Sequence, residues 1–480
     1  MKRKELTVAY LRGERAQSQL FPASLEDYIG PDDPARIYDA FVDQMDWQEL
    51  GITLDEEQIG PPEFEPKAMM KLLVYGYAYG IRSSRKLERA THHNVSFMWL
   101  MGGLKPDHKT IARFRKDNLE ALRKVLKQCV RVCLKLGLIE GNTLFVDGSK
   151  VRANAGMKHS WTKERCEKAL AKADEQIEAI LRECEAVDSA EEGMESLMKG
   201  KPELREVEAR KRKIQEILRG LDKSLQKIVN TTDPDCNHVH GRQGTHAGYN
   251  LQVTVDDQAG LIVNSDVVSD NNDRNQLARQ VEQANEMLGK NCQRACADAG
   301  YADTREWKTL EEQGIEVIAP SQEQEEQTGP FSKDKFTYDA KRDCYTCPEG
   351  HALTYCGSEG KRGMRTYRPK ASHCQFCSNY GICTSSRKGR TIKRILYEEV
   401  KERVEARYQE PESQVVYKRR KEKAEHPFGH LKRNLGLQAF LLRGLRGVRA
   451  EAAILATCFN LRRMMTLLGE SGLLMKFQPA

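Results

Sequence analysis

The sequence predicts a mixed α/β fold, in which a five-stranded sheet with helices follows a helical N-terminal domain and is interrupted by two insertions. Three observations support this prediction. Two short apolar runs of strand length end on an aspartate, a long charged stretch has apolar residues at coiled-coil spacing, and six cysteines crowd into residues 344–383. The expected boundaries are 1–138 for the N-terminal domain, 139–158 with 231–321 for the sheet, 159–230 for a helical hairpin, 322–394 for a zinc-ribbon-like insertion and 395–480 for C-terminal helices that complete the sheet domain.

Composition indicates a highly charged protein with local basic clusters. Of its 480 residues, 31% are charged and 39% hydrophobic, and the formal net charge is +7. No apolar run approaches the ~18 residues of a membrane span and the N-terminus lacks an apolar signal core, so we expect a cytoplasmic protein without membrane contact. Lys and Arg concentrate in 387–393, 418–423 and 432–449, which favours a phosphate-bearing partner. Any single cluster is equally well explained as a solvated helix face.

The N-terminal region is predicted to consist of short helices. Apolar residues from Met69 to Ala78 form one face, and Pro106-Asp107 begins a last helix that contains Arg115. Short helices with a basic last member are typical of helix-turn-helix DNA contacts, so a DNA-binding or dimerisation domain is one interpretation. A plain helical packing domain explains the same pattern equally well.

Two strand ends supply the acids on which the functional hypothesis depends. The run that begins at Thr143 leads into Asp147 and Gly148, and a second short run leads into Asp298. Apolar residues favour a buried strand, and the following glycine lets the chain turn where the carboxylate is exposed. Either aspartate alone is more often a turn cap, but two copies far apart in sequence would place two acids side by side at one sheet edge.

The other strands and the helical insertion follow from hydrophobic spacing. Residues 248–255 and 261–268 alternate as a hairpin, and 315–319 supply the fifth strand. Asp273, near the start of the helix after this hairpin, is expected to cap that helix. Within the insertion, apolar residues from Leu204 onward recur at spacings of three, four and seven, which predicts one arm of an antiparallel helical hairpin with an architectural role.

Four cysteines have the spacing of a structural zinc site. Fourteen cysteines in a chain expected inside the cell argue against disulfides. Two C-x2-C pairs about thirty residues apart favour zinc ligation by Cys344, Cys347, Cys374 and Cys377. This segment is rich in glycine and poor in apolar residues, so bound Zn²⁺ would supply its folding energy. Further ligand candidates are Cys356, Cys383, His351 and His373, and the alternative is coincidental cysteines in a loop.

Glu425 is the best candidate for a third acid. It lies in a strongly basic helical stretch, and Lys432, seven residues on, is two turns away on the same face. Together with the two strand-end aspartates it would hold two Mg²⁺ ions, which activate the attacking oxygen of a phosphodiester reaction and stabilise the leaving one. The alternative for Glu425 is an ion pair with Lys421. Glu422 competes, but the residue seven positions after it is a glycine, which cannot reach a phosphate.

These motifs resemble those of the DDE transposases of the IS4/IS5-like supergroup, most closely the IS1182-type insertion-sequence transposases. Phe145-Val-Asp147-Gly resembles the first catalytic aspartate of that family, Ala297-Asp298-Ala-Gly the second, and Glu425-His-Pro-Phe-Gly with Lys432 the glutamate helix. The helical N-terminal domain is also similar to that of the family, so the resemblance covers nearly the whole chain. It implies an RNase H-like fold and Mg²⁺- or Mn²⁺-dependent cleavage and joining of DNA by the three acids.

The resemblance also implies partners. These are double-stranded DNA with terminal inverted repeats and further copies of the chain in a homodimer or higher assembly, which would associate with the nucleoid. DNA contacts are expected from Lys432, Arg433, Arg420, Lys421 and Tyr417. One departure is that four residues separate Arg420 from Glu425, where the family pattern Y-x2-R-x3-E-x6-K has three. The alternatives are a catalytically inactive DNA-binding protein derived from a transposase, and a nuclease that cuts without joining.

Overall fold

The computed structural model describes residues 24–54, 63–188, 202–223, 227–241, 244–321, 331–359 and 364–477. Its helices in these ranges are α1 (Pro34–Asp43), α2 (Trp47–Leu50), α3 (Pro66–Ala78), α4 (Ser84–His93), α5 (Val95–Leu100), α6 (His108–Asp117), α7 (Leu119–Lys135), α8 (Lys163–Asp188), α9 (Pro202–Lys223), α10 (Leu277–Leu288), α11 (Thr304–Glu312), α12 (Ala371–Gln375), α13 (Glu398–Gln409), α14 (Pro411–Arg433), α15 (Gly444–Leu468) and α16 (Glu470–Phe477). Its strands are β1 (Thr143–Arg152), β2 (Ser160–Thr162), β3 (Ile228–Asn230), β4 (Asn237–Gly241), β5 (Gly244–Asp256), β6 (Ile262–Val268), β7 (Arg294–Cys296), β8 (Glu316–Ile318), β9 (Thr337–Asp339), β10 (Cys344–Thr346), β11 (Ala352–Glu359), β12 (Met364–Arg368) and β13 (Ile392–Arg394). Across these described ranges, every helix is too short or too polar to cross a membrane.

β1 lies at the centre of a mixed sheet. It pairs antiparallel with β5 and parallel with β7, while β6 pairs antiparallel with β5 and β8 pairs parallel with β7. The strand order is therefore β6-β5-β1-β7-β8, and the short β4 pairs with the first part of β5. All five strands expected from the sequence are present, so the mixed α/β class with a helical N-terminal region is confirmed.

The register of this sheet sets the positions of the two strand-end aspartates. Phe145 of β1 pairs with Cys296 of β7, and both side chains lie in a buried cluster with Ala424 of α14. Asp147 and Asp298 each follow this pair by two residues, and the backbone at Asp298 is still extended. Because strand side chains alternate between faces, both aspartates are directed to the face covered by α14, at the same level of the sheet.

The N-terminal helices share one hydrophobic core with the sheet. Leu73 of α3, Val130 of α7, Val146 of β1 and Leu455 of α15 are fully buried members of the same cluster. α15 lies between the N-terminal helices and the hairpin strand β6 and packs on both. The N-terminal region is therefore joined to the sheet through an extensive apolar contact.

Two arginines strengthen this connection. Arg82 donates to the Glu451 carboxylate of α15 at 2.7 Å, and these side chains are only 8% and 0% exposed. Arg115 of α6, expected on a basic DNA-contacting helix, is buried and donates to the carbonyl of Arg82 at 2.8 Å. For this arginine, the packing interpretation of the N-terminal helices is the one that the structure supports.

α8 and α9 form the two arms of a helical hairpin. Lys163 pairs with Asp222 at 3.0 Å and Lys211 with Asp174 at 2.5 Å, so the two helices run in opposite directions. β2 and β3 pair antiparallel at the base of the hairpin, which brings the chain back to the sheet. The connection between the arms, residues 189–201, lies outside the described residues.

The cysteine-rich insertion has a small hydrophobic core of its own. Its strands form a sheet in the order β13-β12-β11-β10-β9. The side chains buried against one another are Phe336, Tyr345, Leu353, Tyr367 and Ile392. The segment, expected to be poor in apolar residues, therefore has a small aromatic core, because aromatic side chains supply a large buried area from few residues.

A candidate active site at the end of the central strand

Asp147 lies where the buried half of β1 ends. Its Oδ1 accepts a hydrogen bond from the backbone N–H of Gly148 at 2.8 Å, and its side chain is 16% exposed. Burial raises the pKa of Asp147 to about 6; the Arg420 guanidinium opposes this rise, and the charges of Asp298 and Asp273 add to it. Acids perturbed by burial and by neighbouring charges are typical of functional sites.

Asp298 lies beside Asp147 at the end of β7. Its Oδ1 accepts a hydrogen bond from the N–H of Gly300 at 2.8 Å and thereby caps a short turn at Ala299–Tyr301. The capping role left open by the sequence is therefore present. It is compatible with a second role, because a carboxylate offers two oxygens and several acceptor sites.

α14 crosses this end of β1, with Ala424 packed in the cluster that contains Phe145. One turn before Ala424, the buried Arg420 places its Nη1 3.7 Å from Oδ2 of Asp147. Its guanidinium lies 5.4 Å from the centre of the Tyr417 ring, and neither Nε nor Nη1 has a hydrogen-bond partner among the described residues. Arg420, expected to contact DNA, is instead directed inward against the acid.

Lys432 reaches β1 from the other end of α14. Its Nζ donates to Oγ of Ser149 at 2.6 Å and to the carbonyl oxygen of Lys150 at 3.3 Å. Ser149 is two residues from Asp147 and therefore lies on the same face of the strand. The ammonium group of Lys432 is thus held close to the acid pair.

Glu425 lies between Arg420 and Lys432. These two basic residues are about 18 Å apart along the helix, yet they approach side chains only two residues apart on β1. Their side chains therefore reach β1 from the two sides of the stretch of α14 that contains Glu425. The Glu425 side chain is exposed.

The three predicted acids are not gathered into one cluster. The two aspartates share one face and one level of the sheet, whereas Glu425 faces solvent on the neighbouring helix. In the part of the chain that the structure describes, no group of three His, Cys, Asp or Glu side chains is arranged to hold a metal ion. The structure therefore provides an acid pair with a third acid on the adjacent helix.

The other expected DNA contacts differ in exposure. Lys421 and Arg433 are exposed on α14, whereas Tyr417 is half-buried. The helix therefore has exposed basic residues on its outer side and a buried arginine on the side that faces the sheet.

Asp273 belongs to this region, although the sequence suggested only a capping role for it. The Asp273 carboxylate accepts hydrogen bonds from Lys150 at 3.2 Å and from the side-chain amides of Asn250 and Gln252 at 2.8 Å each. α10 begins after Gln276, so the expected capping role was wrong. The sequence feature that indicates this role of Asp273 is the pair of amide side chains, Asn250 and Gln252, which alternate with apolar residues in β5.

The cysteine-rich insertion brings together a set of thiols that differs from the predicted one. The pocket beside its core is lined by the four cysteines Cys347, Cys374, Cys377 and Cys383. Cys344 is buried in β10, next to Tyr345, whose ring lies in the aromatic core. Because neighbouring strand side chains point to opposite faces, the Cys344 thiol is directed away from that core. Cys383, one of the further ligand candidates, lies where Cys344 was expected.

Comparison with known families fits this arrangement. The transposase domain DUF772 matches residues 23–117, which include α1 to α6, and a transposase DDE domain matches residues 346–465, which include α14. No curated protein matches the chain. These two matches support a DDE transposase. The pairing of these two domains is consistent with the IS1182 type.

Proposed function

We propose that this transposase cleaves DNA at the ends of an insertion sequence and joins those ends to a target, with Asp147, Asp298 and Glu425 as its catalytic acids. The supporting observation is the register of β1 and β7, which sets the two aspartates at one level beneath α14. The sheet order β6-β5-β1-β7-β8, antiparallel on one side of β1 and parallel on the other, supports an RNase H-like arrangement.

The acid pair fits a divalent metal. Asp147 is buried beside a second carboxylate, and its pKa stays raised to about 6 although Arg420 lies 3.7 Å away. Carboxylate oxygens are ligands that Mg²⁺ and Mn²⁺ prefer. Asp147 and Asp298 would hold the metal, and Glu425 would join them by rotation of its exposed side chain. When bound, the metal would activate the attacking oxygen and stabilise the leaving oxygen.

The basic residues of α14 would place the DNA. Lys432 is held near the acid pair, and Lys421 and Arg433 are exposed for contact with backbone phosphates. Arg420 would act from within, by holding negative charge at Asp147, with Tyr417 packed against it. The partner would be double-stranded DNA with terminal inverted repeats at the nucleoid. Joining two ends requires two sites, which favours a homodimer or a higher assembly.

Cleavage of DNA that carries the inverted repeats flanking this gene tests the proposal. Full-length protein should cut such DNA in Mg²⁺ or Mn²⁺, and the Asp298→Asn and Glu425→Gln variants should not. The matched control is Glu422→Gln, since Glu422 is exposed on the same helix less than one turn away and should be dispensable. A pre-cut end in place of the intact one then measures strand joining separately from cleavage.

Each alternative has its own result in this assay. Retention of DNA by the wild type without cleavage in either metal would indicate the inactive DNA-binding protein. Cleavage without joining of the pre-cut end would indicate a nuclease. Activity in Glu425→Gln equal to that of the Glu422→Gln control would show that Glu425 is not the third acid.

A further inference from the structure

We propose that the cysteine-rich insertion binds a structural zinc ion through Cys347, Cys374, Cys377 and Cys383. These four thiols line one pocket beside the aromatic core of the insertion. The geometry excludes Cys344 from the set and replaces it with a cysteine that lies outside both C-x2-C pairs. This inference is independent of the acids at the sheet end, because the insertion packs around its own core.

Backbone turns orient two of the thiols. Cys347 begins a turn that ends at His351, where the His351 N–H donates to Sγ of Cys347 at 3.3 Å. Cys374 and Cys377 lie in a second turn, in which the N–H of Cys377 donates to the Cys374 carbonyl at 3.2 Å. The N–H of Arg390 donates to Sγ of Cys374 at 3.5 Å. These amide contacts fix the orientation of the Cys347 and Cys374 side chains.

Cys383 completes the set from a third segment. Cys347 and Cys383 both pack against the aromatic core and both line the pocket beside it. Cys383 also lies within electrostatic reach of the other three sulfurs. Cys344 pairs with Asp339 and Thr354 across its two neighbouring strands and is directed to the opposite face of β10.

Four thiolates favour zinc over hard cations such as Mg²⁺ and Ca²⁺. Sulfur ligands in tetrahedral arrangement are typical of structural Zn²⁺, with Zn–S distances of about 2.3 Å. No three donors have a ligating arrangement in the residues that the structure describes, so the thiols must rotate inward to reach this distance. His351 and His373, whose rings stack at 4.8 Å in the wall of the pocket, are the competing donors.

Metal content of the full-length protein tests this assignment. We expect one zinc ion per chain by mass spectrometry of the purified protein, and cobalt substitution should give the absorption bands of tetrahedral thiolate ligation. Cys383→Ser should lose the ion, whereas Cys344→Ser and the exposed control Cys356→Ser should keep it. Alkylation mapping on wild-type protein avoids the question of whether a variant folds. After a chelator removes the metal, the alkylating agent should react with Cys347, Cys374, Cys377 and Cys383, which it does not reach before.

Three outcomes would overturn the proposal. The first is wild-type protein purified with added zinc that contains none. The second is loss of the ion in Cys344→Ser with full retention in Cys383→Ser, which would restore the set expected from spacing. The third is loss of the zinc ion in His351→Ala or His373→Ala, together with alkylation of Cys383 in wild-type protein that is the same before and after chelation. None of these readouts depends on DNA cleavage, so failure here leaves the proposed catalytic acids untested.

Discussion

The two candidate metal centres of this protein are assembled in opposite ways. Asp147 and Asp298 lie at one level because sheet register in the main core aligns distant segments, and helix packing places α14, which carries Glu425, over that end of the sheet. The four thiols come from residues 347–383 and line one pocket, formed by local turns, beside a small aromatic core. A change in the main core should therefore affect the first centre and spare the second.

The largest expected effect follows from breaking the ion pair between Arg82 and Glu451. Glu451 is fully buried and also accepts hydrogen bonds from the backbone N–H groups of Leu441 and Leu442, at 2.9 and 3.0 Å. Arg82→Ala would leave this carboxylate without its cation, which should lower the free energy of unfolding by about 3–5 kcal/mol. Urea unfolding followed by circular dichroism measures the loss, and zinc content before unfolding should not change.

The control is the exposed pair between Arg446 and Glu120, whose side chains are 73% and 55% exposed. Arg446→Ala should change the free energy of unfolding by no more than about 1 kcal/mol, since solvent screens such pairs. An equal decrease in the free energy of unfolding in both variants would show that the buried pair stabilises the fold no more than the exposed pair does. Zinc loss in Arg82→Ala would show that the insertion depends on the main core.

The difference in assembly between the two centres also explains which of their residues could be predicted from the sequence. Asp147 and Asp298 were identifiable because an apolar run fixes a strand and therefore the position of the acid at its end. Cys344, expected among the zinc ligands, does not line the pocket of the other cysteines, because C-x2-C spacing contains no information about which face of a strand each cysteine occupies. Asp273 was missed because its partners come from β5, 21 and 23 residues earlier, and such hydrogen bonds leave no local pattern at the acid itself.

Protonation of Asp147 gives the second prediction. Its pKa in the folded protein is raised to about 6 from an ordinary value of 3.8, so between these values the folded state binds a proton that the unfolded state has lost. The free energy of unfolding should therefore fall as pH rises through this window. Asp147→Asn removes the fall, so the variant should be more stable than wild type above pH 6, by up to about 3 kcal/mol, while it loses cleavage.

The measurement is the difference between wild-type and Asp147→Asn unfolding curves at several pH values. Burial also raises the pKa of Glu306 to about 7, but its effect is the same in both proteins and cancels in the difference. A difference that does not change between pH 4 and 7 would show that the Asp147 carboxyl is not desolvated in the folded protein.

The smallest expected effect concerns Gly148, where an added methyl group tests how tightly β1 is packed behind the acid pair. A Cβ at this position would collide with the Asp273 carboxylate and the Gln252 amide and would lie 3.0 Å from the Tyr301 hydroxyl. Gly148→Ala should therefore lower the free energy of unfolding by about 1–3 kcal/mol.

The same methyl group should also reduce cleavage, by about 100-fold if the strand end moves by about 1 Å. The matched control is Gly156→Ala, whose added Cβ would meet its nearest neighbour, in His159, at an ordinary 3.6 Å. Zinc content should be unchanged in both variants, because neither glycine lies in the insertion. Wild-type cleavage in Gly148→Ala would mean that the network of Asp273 and Gln252 does not position Asp147, and the acid pair would then depend on register and α14 alone.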